Sequence, residues 1–507
     1  MSSRSLLAFV LHSHIPYCRK QGVWPFGEEW VFEAMAETYI PMLDLMAEAL
    51  PAEAGACLSV AVSPILCEQL ADDYMKQRFL EYIDARIAAA RRDIERHMEV
   101  HDDIMASIAG DYLEQCEAVK RSFLERWHRD LVGAFRRLAQ DGRIEIMTTA
   151  ATHAYLPLLG DADRVRAQLR TGALAIQHHL GVRPKAAWLP ELGYSPGALD
   201  AALQEIGVDC ILVDPSSVRP TPGRSGAASL ARYTLGGSDM RVLVRDDVAV
   251  AQVWSPDTGY PGDGAYREFH KRHELSGIPY WRVTSKLTAL DYKQLYRPQE
   301  ADAAARRHAE HFCQFVAERV AGVDGGLVVA PFDMELFGHW WHEGVTWLSH
   351  VIHIVSESAG MSLASVSRAA DEGTWGGDVE LTDGSWGEGP PHSNWTNDST
   401  RSMWTVLRDA HALKRQLDAA TVRLSPRQLE LAAAASRELM LAEASDWPYL
   451  VGVGQASEYA RARFRAHVDN FMRLARAALD SACDDASALR DIAAQDEVFR
   501  WAPTNYL

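Results

Sequence analysis

No run of apolar residues in the 507-residue chain approaches the ~20 needed to cross a bilayer. Leu6 to Leu11 is too short for the core of a secretory signal, and His12 interrupts it. Cysteine is sparse: Cys18, Cys57, Cys67, Cys116, Cys210, Cys313 and Cys483 are odd in number and form no Cys-x-x-Cys pair. They read as buried, reduced thiols in a cytoplasmic protein. No His-Glu-x-x-His motif occurs, so no metal centre is expected. Basic charge is also short. The formal net charge of −18 argues against nucleic acid or an anionic membrane as partner, whereas a neutral polymer is indifferent to it. The length implies more than one domain, at roughly 100–200 residues each.

Tryptophan is abundant, at 15 residues, which favours ligands with flat apolar faces. The densest chemistry lies in Pro331 to Gly344, after Gly325-Gly326 and the apolar run Leu327 to Ala330. That order fits a buried strand followed by a loop. The segment carries Asp333, Glu335 and Glu343, His339 and His342, and the pair Trp340-Trp341. A surface loop gains nothing from adjacent tryptophans. The segment reads either as a catalytic acid beside a carbohydrate platform or as a core-packing corner with a salt-bridged acid.

The other polar clusters also follow apolar runs. Leu6 to Leu11 predicts a first strand that delivers His12, His14, Pro16 and Tyr17; histidines at alternate positions point the same way. With no third ligand at metal spacing, they suit hydrogen bonding to a polar ligand. Trp24, Phe26 and Trp30 follow, and Glu28 to Leu50 predicts a mostly amphipathic helix broken or kinked at Pro41. Cys57 to Val62 is a second strand, Leu66 to Ala139 an insertion of several helices, and Ile144 to Met147 a strand leading to His153 and Tyr155. Val165 to Leu180 is a helix closed by Gly181. Ala186 to Leu189 leads into Glu191, and Ser195-Pro196 opens the next helix. Cys210 to Val213, Val242 to Val244 and Val248 to Trp254 read as further strands, and Ala301 to Val320 as a helix. This alternation predicts a parallel α/β barrel over residues 1–400, with a helical insertion at about 66–140 and the site at the C-terminal ends of the strands. From 401 to 507 the pattern is helical, with Thr405–Ala419, Pro426–Ser445, Gln455–Ala478 and Ala486–Asp491 as helices and Asp446 to Tyr449 in a loop.

Glu191 and Asp333 each sit at a strand end among aromatics. A glycosidase needs two such carboxylates, about 5–5.5 Å apart in a retaining enzyme. Glu335 rivals Asp333, and Glu343 reads as a solvated or supporting acid. Five segments resemble glycoside hydrolase family 57: His12-Ser-His14-Ile-Pro16-Tyr17; Gly142 to Met147 with His153; Trp188-Leu-Pro-Glu191; Pro331-Phe-Asp333-Met-Glu335; and Asp383-Gly-Ser-Trp386-Gly387-Glu388. Within that family the chain is most similar to the 1,4-α-glucan branching enzymes. The resemblance implies an incomplete (β/α)7 barrel with an inserted helical domain and a C-terminal all-helical domain, a retaining mechanism and no cofactor. It implies Glu191 as nucleophile and Asp333 as general acid/base. His12, His14 and His153 would bind the sugar at the scissile bond, with Arg245, Trp254, Gly262, Trp386, Trp395 and Asp446 near the substrate. Trp24 and Trp340 are candidate stacking platforms.

The expected partner is an α-glucan, with no nucleic acid or membrane, and the expected assembly a monomer or small homo-oligomer. One departure stands out: the loop Asp214 to Arg232 is short and holds no tyrosine to close over the acceptor side. Water would then compete with the acceptor. An α-1,4-glucan hydrolase or a 4-α-glucanotransferase is therefore the alternative reading. A catalytically inactive glucan-binding module and a metal-dependent deacetylase-like barrel are the rival classes.

Overall fold

The computed structural model describes residues 4–52, 55–219, 228–387, 389–480 and 486–503. Cys483, Glu388 and positions 220–227 of the short loop lie outside the described residues. Among the described residues, seven parallel strands form the centre: β1 (Ser5–Ser13), β2 (Leu58–Val62), β3 (Ile144–Ile146), β4 (Ala186–Ala187), β5 (Cys210–Val213), β6 (Arg241–Val244) and β7 (Leu327–Asp333). β1 pairs with β2 on one side and β7 on the other, and β2 with β3. β5 pairs with β4 and β6. The two arcs join where Thr148, just past β3, bridges Ala187, and where the Asp246 N–H donates to Val329 O (2.8 Å). The ring closes as an incomplete (β/α)7 barrel whose thinnest members are the short β3 and β4.

The strands are apolar on both faces, as parallel strands between a core and an outer helix layer must be. Along β1, Leu6, Ala8 and Val10 join a cluster with Ala61, Trp188, Leu212 and Val329. Leu7, Phe9 and Leu11 join a second cluster with the surrounding helices. Along β7, Leu327 and Val329 belong to the first cluster and Val328, Ala330 and Phe332 to the second. The period of two extends the inner series by one step to His12 and by two, through Pro331, to Asp333, and these residues face each other in register at the C-terminal mouth.

Helices Pro64–Ala71, Asp73–Glu99, Asp103–Arg121 and Leu131–Gln140 fill the expected insertion. The long pair packs against the irregular segment 255–297, where the Tyr280 hydroxyl donates to Asp93 Oδ2 (2.8 Å). The C-terminal helices are Arg401–Ala420, Pro426–Ala442, Ser457–Leu479 and Ala486–Gln495. Among the described residues, no helix is long and apolar enough to cross a membrane.

Several local expectations are overturned. Val248 to Trp254 belongs to a helix, Asp247–Trp254, because the Asp246 carboxylate caps it by accepting from the Ala249 N–H (2.8 Å). A seven-residue, mostly apolar run fits either element until its cap is recognised. The helix after Glu191 begins at Ala198, beyond Gly197 (φ 104°), whose N–H donates to the Asp200 carboxylate (2.9 Å). Pro41 breaks nothing: a π-helical stretch, Met35–Tyr39, separates Glu28–Ala34 from Ile40–Ala49, and the chain stays helical throughout. Asp446 to Tyr449 opens a short helix, Asp446–Gly452, rather than lying in a loop. Cys57 is half-buried, not buried.

Candidate active site

Three histidines stack across the mouth of the barrel. The His14 and His153 rings lie 4.0 Å apart at 16°, His12 and His153 4.8 Å apart at 29°, and His12 packs on Trp188 at 4.8 Å and 17°. Each ring is fixed by a partner from another element. His12 Nδ1 is 3.4 Å from Asp333 Oδ1. His14 Nδ1 meets Ser63 Oγ (2.9 Å) and its Nε2 meets Asp446 Oδ2 (3.0 Å). His153 Nδ1 meets Ser445 Oγ (2.8 Å). Burial pulls His12 below the usual histidine range and His153 well below it, so both rings are neutral. Their Nε2 atoms are buried without a partner among the described residues, and buried polar atoms in native proteins nearly always find one. Two adjacent unsatisfied imidazole nitrogens suit the hydroxyls of a bound polyol.

Glu191 stands beside them, with Oε1 3.9 Å from His153 Nδ1. The Trp386 indole N–H donates to Glu191 Oε2 (2.7 Å), and the Trp386 backbone N–H to Glu191 O (3.0 Å). Trp386 in turn meets Trp188 edge-on at 5.3 Å. Burial and the charge of Asp333 push Glu191 up to about 8, against the Trp386 N–H, which favours the ionised form. The backbone here is left-handed at Glu191 (φ 61°), Leu192 (φ 49°) and His153 (φ 55°). Such conformations cost non-glycine residues roughly 1–3 kcal/mol each and concentrate at functional sites. Gly193 completes the turn, since a Cβ there would come within 2.9 Å of the Tyr155 ring.

Glu335, the rival acid, points away from the mouth. It is buried, accepts from the Tyr39 hydroxyl and from the His14 backbone N–H (3.2 Å), and so fixes the His14 backbone. Glu343 is buried too, not solvated. Of the substrate candidates, His12, His14, His153, Trp386 and Asp446 converge with the two acids. Trp254 and Trp340 form an exposed edge-to-face pair at 5.7 Å, and Trp24 is exposed on a separate loop. Arg245 is tied to Asp214 (2.9 Å). Gly262 lies under the Lys286 side chain. Trp395 is not open to a sugar: it is buried, stacked on Tyr155 at 4.3 Å and 9°. Ser63, Tyr39 and Ser445 were missed, because nothing in their local sequence marks them.

Residues 8–375 match the model of glycosyl hydrolase family 57. The chain belongs to that family. Residues 410–506 match a second model, the C-terminal region of 1,4-alpha-glucan branching enzymes. A 1,4-alpha-glucan branching enzyme of Thermococcus kodakarensis is 37% identical over 93% of this chain and 73% of its own. A probable 1,4-alpha-glucan branching enzyme of Mycobacterium tuberculosis is 30% identical over 96% of this chain and 94% of its own. The crystal structure of the Thermococcus family 57 enzyme with glucose and additives superposes with a TM-score of 0.90 at 34% identity, covering 99% of this chain and 96% of that one. The family 57 fold recurs in the alpha-amylase AmyC of Thermotoga maritima, with a TM-score of 0.86 at 28% identity and 99% coverage of both chains.

Among the described residues, a metal-like grouping occurs only at Glu438, His467 and Asp496, in the C-terminal helices. There the Arg463 guanidinium sits 2.7 Å from His467 Nε2, so a cation would meet a positive charge.

Proposed function

We propose that the protein is a retaining 1,4-α-glucan branching enzyme acting on glycogen- or amylose-like chains, with Glu191 as nucleophile and Asp333 as general acid/base. What supports the reading is the convergence of these two carboxylates with three histidines at the barrel mouth, joined there by Ser445 and Asp446 from within the segment that matches the C-terminal region of branching enzymes. The ionised Glu191 attacks the anomeric carbon, the C–O bond to the leaving 4-oxygen breaks, and Asp333 protonates that oxygen. Asp333 then takes the proton of an acceptor 6-hydroxyl, whose oxygen displaces Glu191. Each residue ends as it began. His12 and His153, neutral and facing the acids, bind the sugar hydroxyls. The thiols of Cys18, Cys67 and Cys210, buried and free, support a cytoplasmic setting.

Glu191 attacks only when ionised, and burial with the charge of Asp333 sets its carboxyl at about 8. The kcat/KM should therefore rise as pH rises towards that value. Trp386→Phe removes a donor to the ionised carboxylate and should move this limb to higher pH, with kcat lower by about tenfold to a hundredfold. A limb at the wild-type pH would show that the indole contact does not tune Glu191.

Hydrolysis is the second reading. It is favoured by the short loop from Asp214 to Arg232, which supplies no tyrosine, and by the likeness to a structure named as an alpha-amylase. Amylose incubated with the protein separates the two readings. Proton NMR of α-1,6 linkages, with reducing ends counted in the same tube, should give many linkages and few ends. The reverse ratio would make hydrolysis the activity.

A further inference from the structure

A second cavity, of about 490 Å³, lies between the barrel and the inserted helices. None of the residues that converge around Glu191 and Asp333 lines it. Its size falls within the roughly 300–1,000 Å³ of small-molecule sites. Tyr82 and Tyr112 of the inserted helices supply aromatic faces, and Glu37, Arg267, His342 and Glu343 supply polar groups.

The charges are already neutralised within the protein. Glu37 bonds His339 Nδ1 (2.6 Å) and faces Arg272 (3.6 Å); against the cost of burial, these partners hold it well below the usual carboxylate range. Arg86 is paired with Glu29 and lies over the Tyr82 ring. A phosphate would find its guanidinium engaged, and a metal cation would find its carboxylate engaged. What is left is a flat aromatic surface and a polar atom. Glu343 Oε1 accepts from the Tyr296 hydroxyl (2.6 Å) and the Arg267 N–H (3.2 Å), while its Oε2 is buried with no partner among the described residues. A neutral ring with an apolar face and a rim of hydroxyls answers both features.

We propose that this cavity is a second sugar site, taking one or two glucose units of a glucan or its product, apart from the cleft. The choice of glucose units rests on the glucan reading above; the choice of a neutral hydroxylated ring does not. The site is also placed to reach the cleft. Glu37 and Tyr39 lie in the same π-helical stretch, the first facing the cavity and the second holding Glu335 beneath His14.

Maltose titrated into the full-length protein, followed by ligand-observed NMR, should show two binding events. Ala118→Phe, which narrows the cavity from the helix Asp103–Arg121, should weaken one of them by about tenfold, as should Tyr112→Ala, the size expected when one aromatic face is lost. Amylose turnover should stay at the wild-type level in both. A crystal soaked in maltose should hold a ring against Tyr112. A single event that survives both substitutions unchanged, or a soaked crystal with sugar in the cleft alone, overturns the site. The amylose assay reads the cleft independently, so failure of the branching reading and failure of this site are distinguishable.

Discussion

Glu191→Gln and Asp333→Asn should each lower kcat on amylose by a factor on the order of 10³ or more while leaving glucan binding nearly intact, because each removes a group that acts only as bonds change. The two losses should differ in kind. Glu191→Gln has no nucleophile, so no leaving group, however good, restores the first step. Asp333→Asn lacks only the proton donor. It should therefore recover much of the first step on a glucoside with an acidic phenol as leaving group, and then stall with glucose attached to Glu191. Trapping that adduct by mass spectrometry checks both assignments. Full turnover by either variant on amylose would remove its residue from the chemistry. Asparagine and glutamine preserve size and one accepting oxygen, so the His12 and Trp386 contacts lose least in these variants.

Much of this site could be read from spacing. A period of two runs from Leu6 through Ala8 and Val10 to His12, and from Leu327 through Val329 to Asp333, and in the folded protein both series point into the barrel and end at its mouth. What the spacing could not carry were contacts that depend on docking. His14 meets Asp446 across 432 positions of chain, and Tyr39 meets Glu335 across 296. No local pattern encodes such pairs. Trp395 shows the opposite case: the family resemblance implies a place near the substrate, yet here it is buried and stacked on Tyr155, because a tryptophan serves a core as readily as a sugar face. Val248 to Trp254 went wrong for a simpler reason, since the single residue that decides it, the cap Asp246, stands outside the run.

Docking also explains why Glu443→Ala should be the most damaging substitution for stability. Glu443 is buried, with Arg164 Nε at 2.7 Å, His411 Nε2 at 2.9 Å and Gln168 Nε2 at 2.7 Å. Arg164 and Gln168 belong to the barrel helix Ala162–Leu180, and His411 to the C-terminal helix Arg401–Ala420. One carboxylate thus pins the two regions together, two residues before Ser445. Removing it strands a buried guanidinium, which costs about 3–5 kcal/mol. Burial raises the Glu443 pKa, but Arg164 and His411 outweigh it and hold the group down to about 2. A depressed carboxylate contributes stability that is present above its unfolded value, near 4.5, and lost as pH falls towards 2. The gap in denaturant midpoint between wild type and Glu443→Ala should therefore be full at pH 7 and close progressively below about pH 4.5. Any Glu443→Ala protein that stays folded should lose activity beyond its loss of stability, since His14 and His153 depend on Asp446 and Ser445 for their orientation. If that variant kept wild-type stability at pH 7, the C-terminal helices would have to be held by their apolar contacts alone, and the cleft would need another account of how its histidines are fixed.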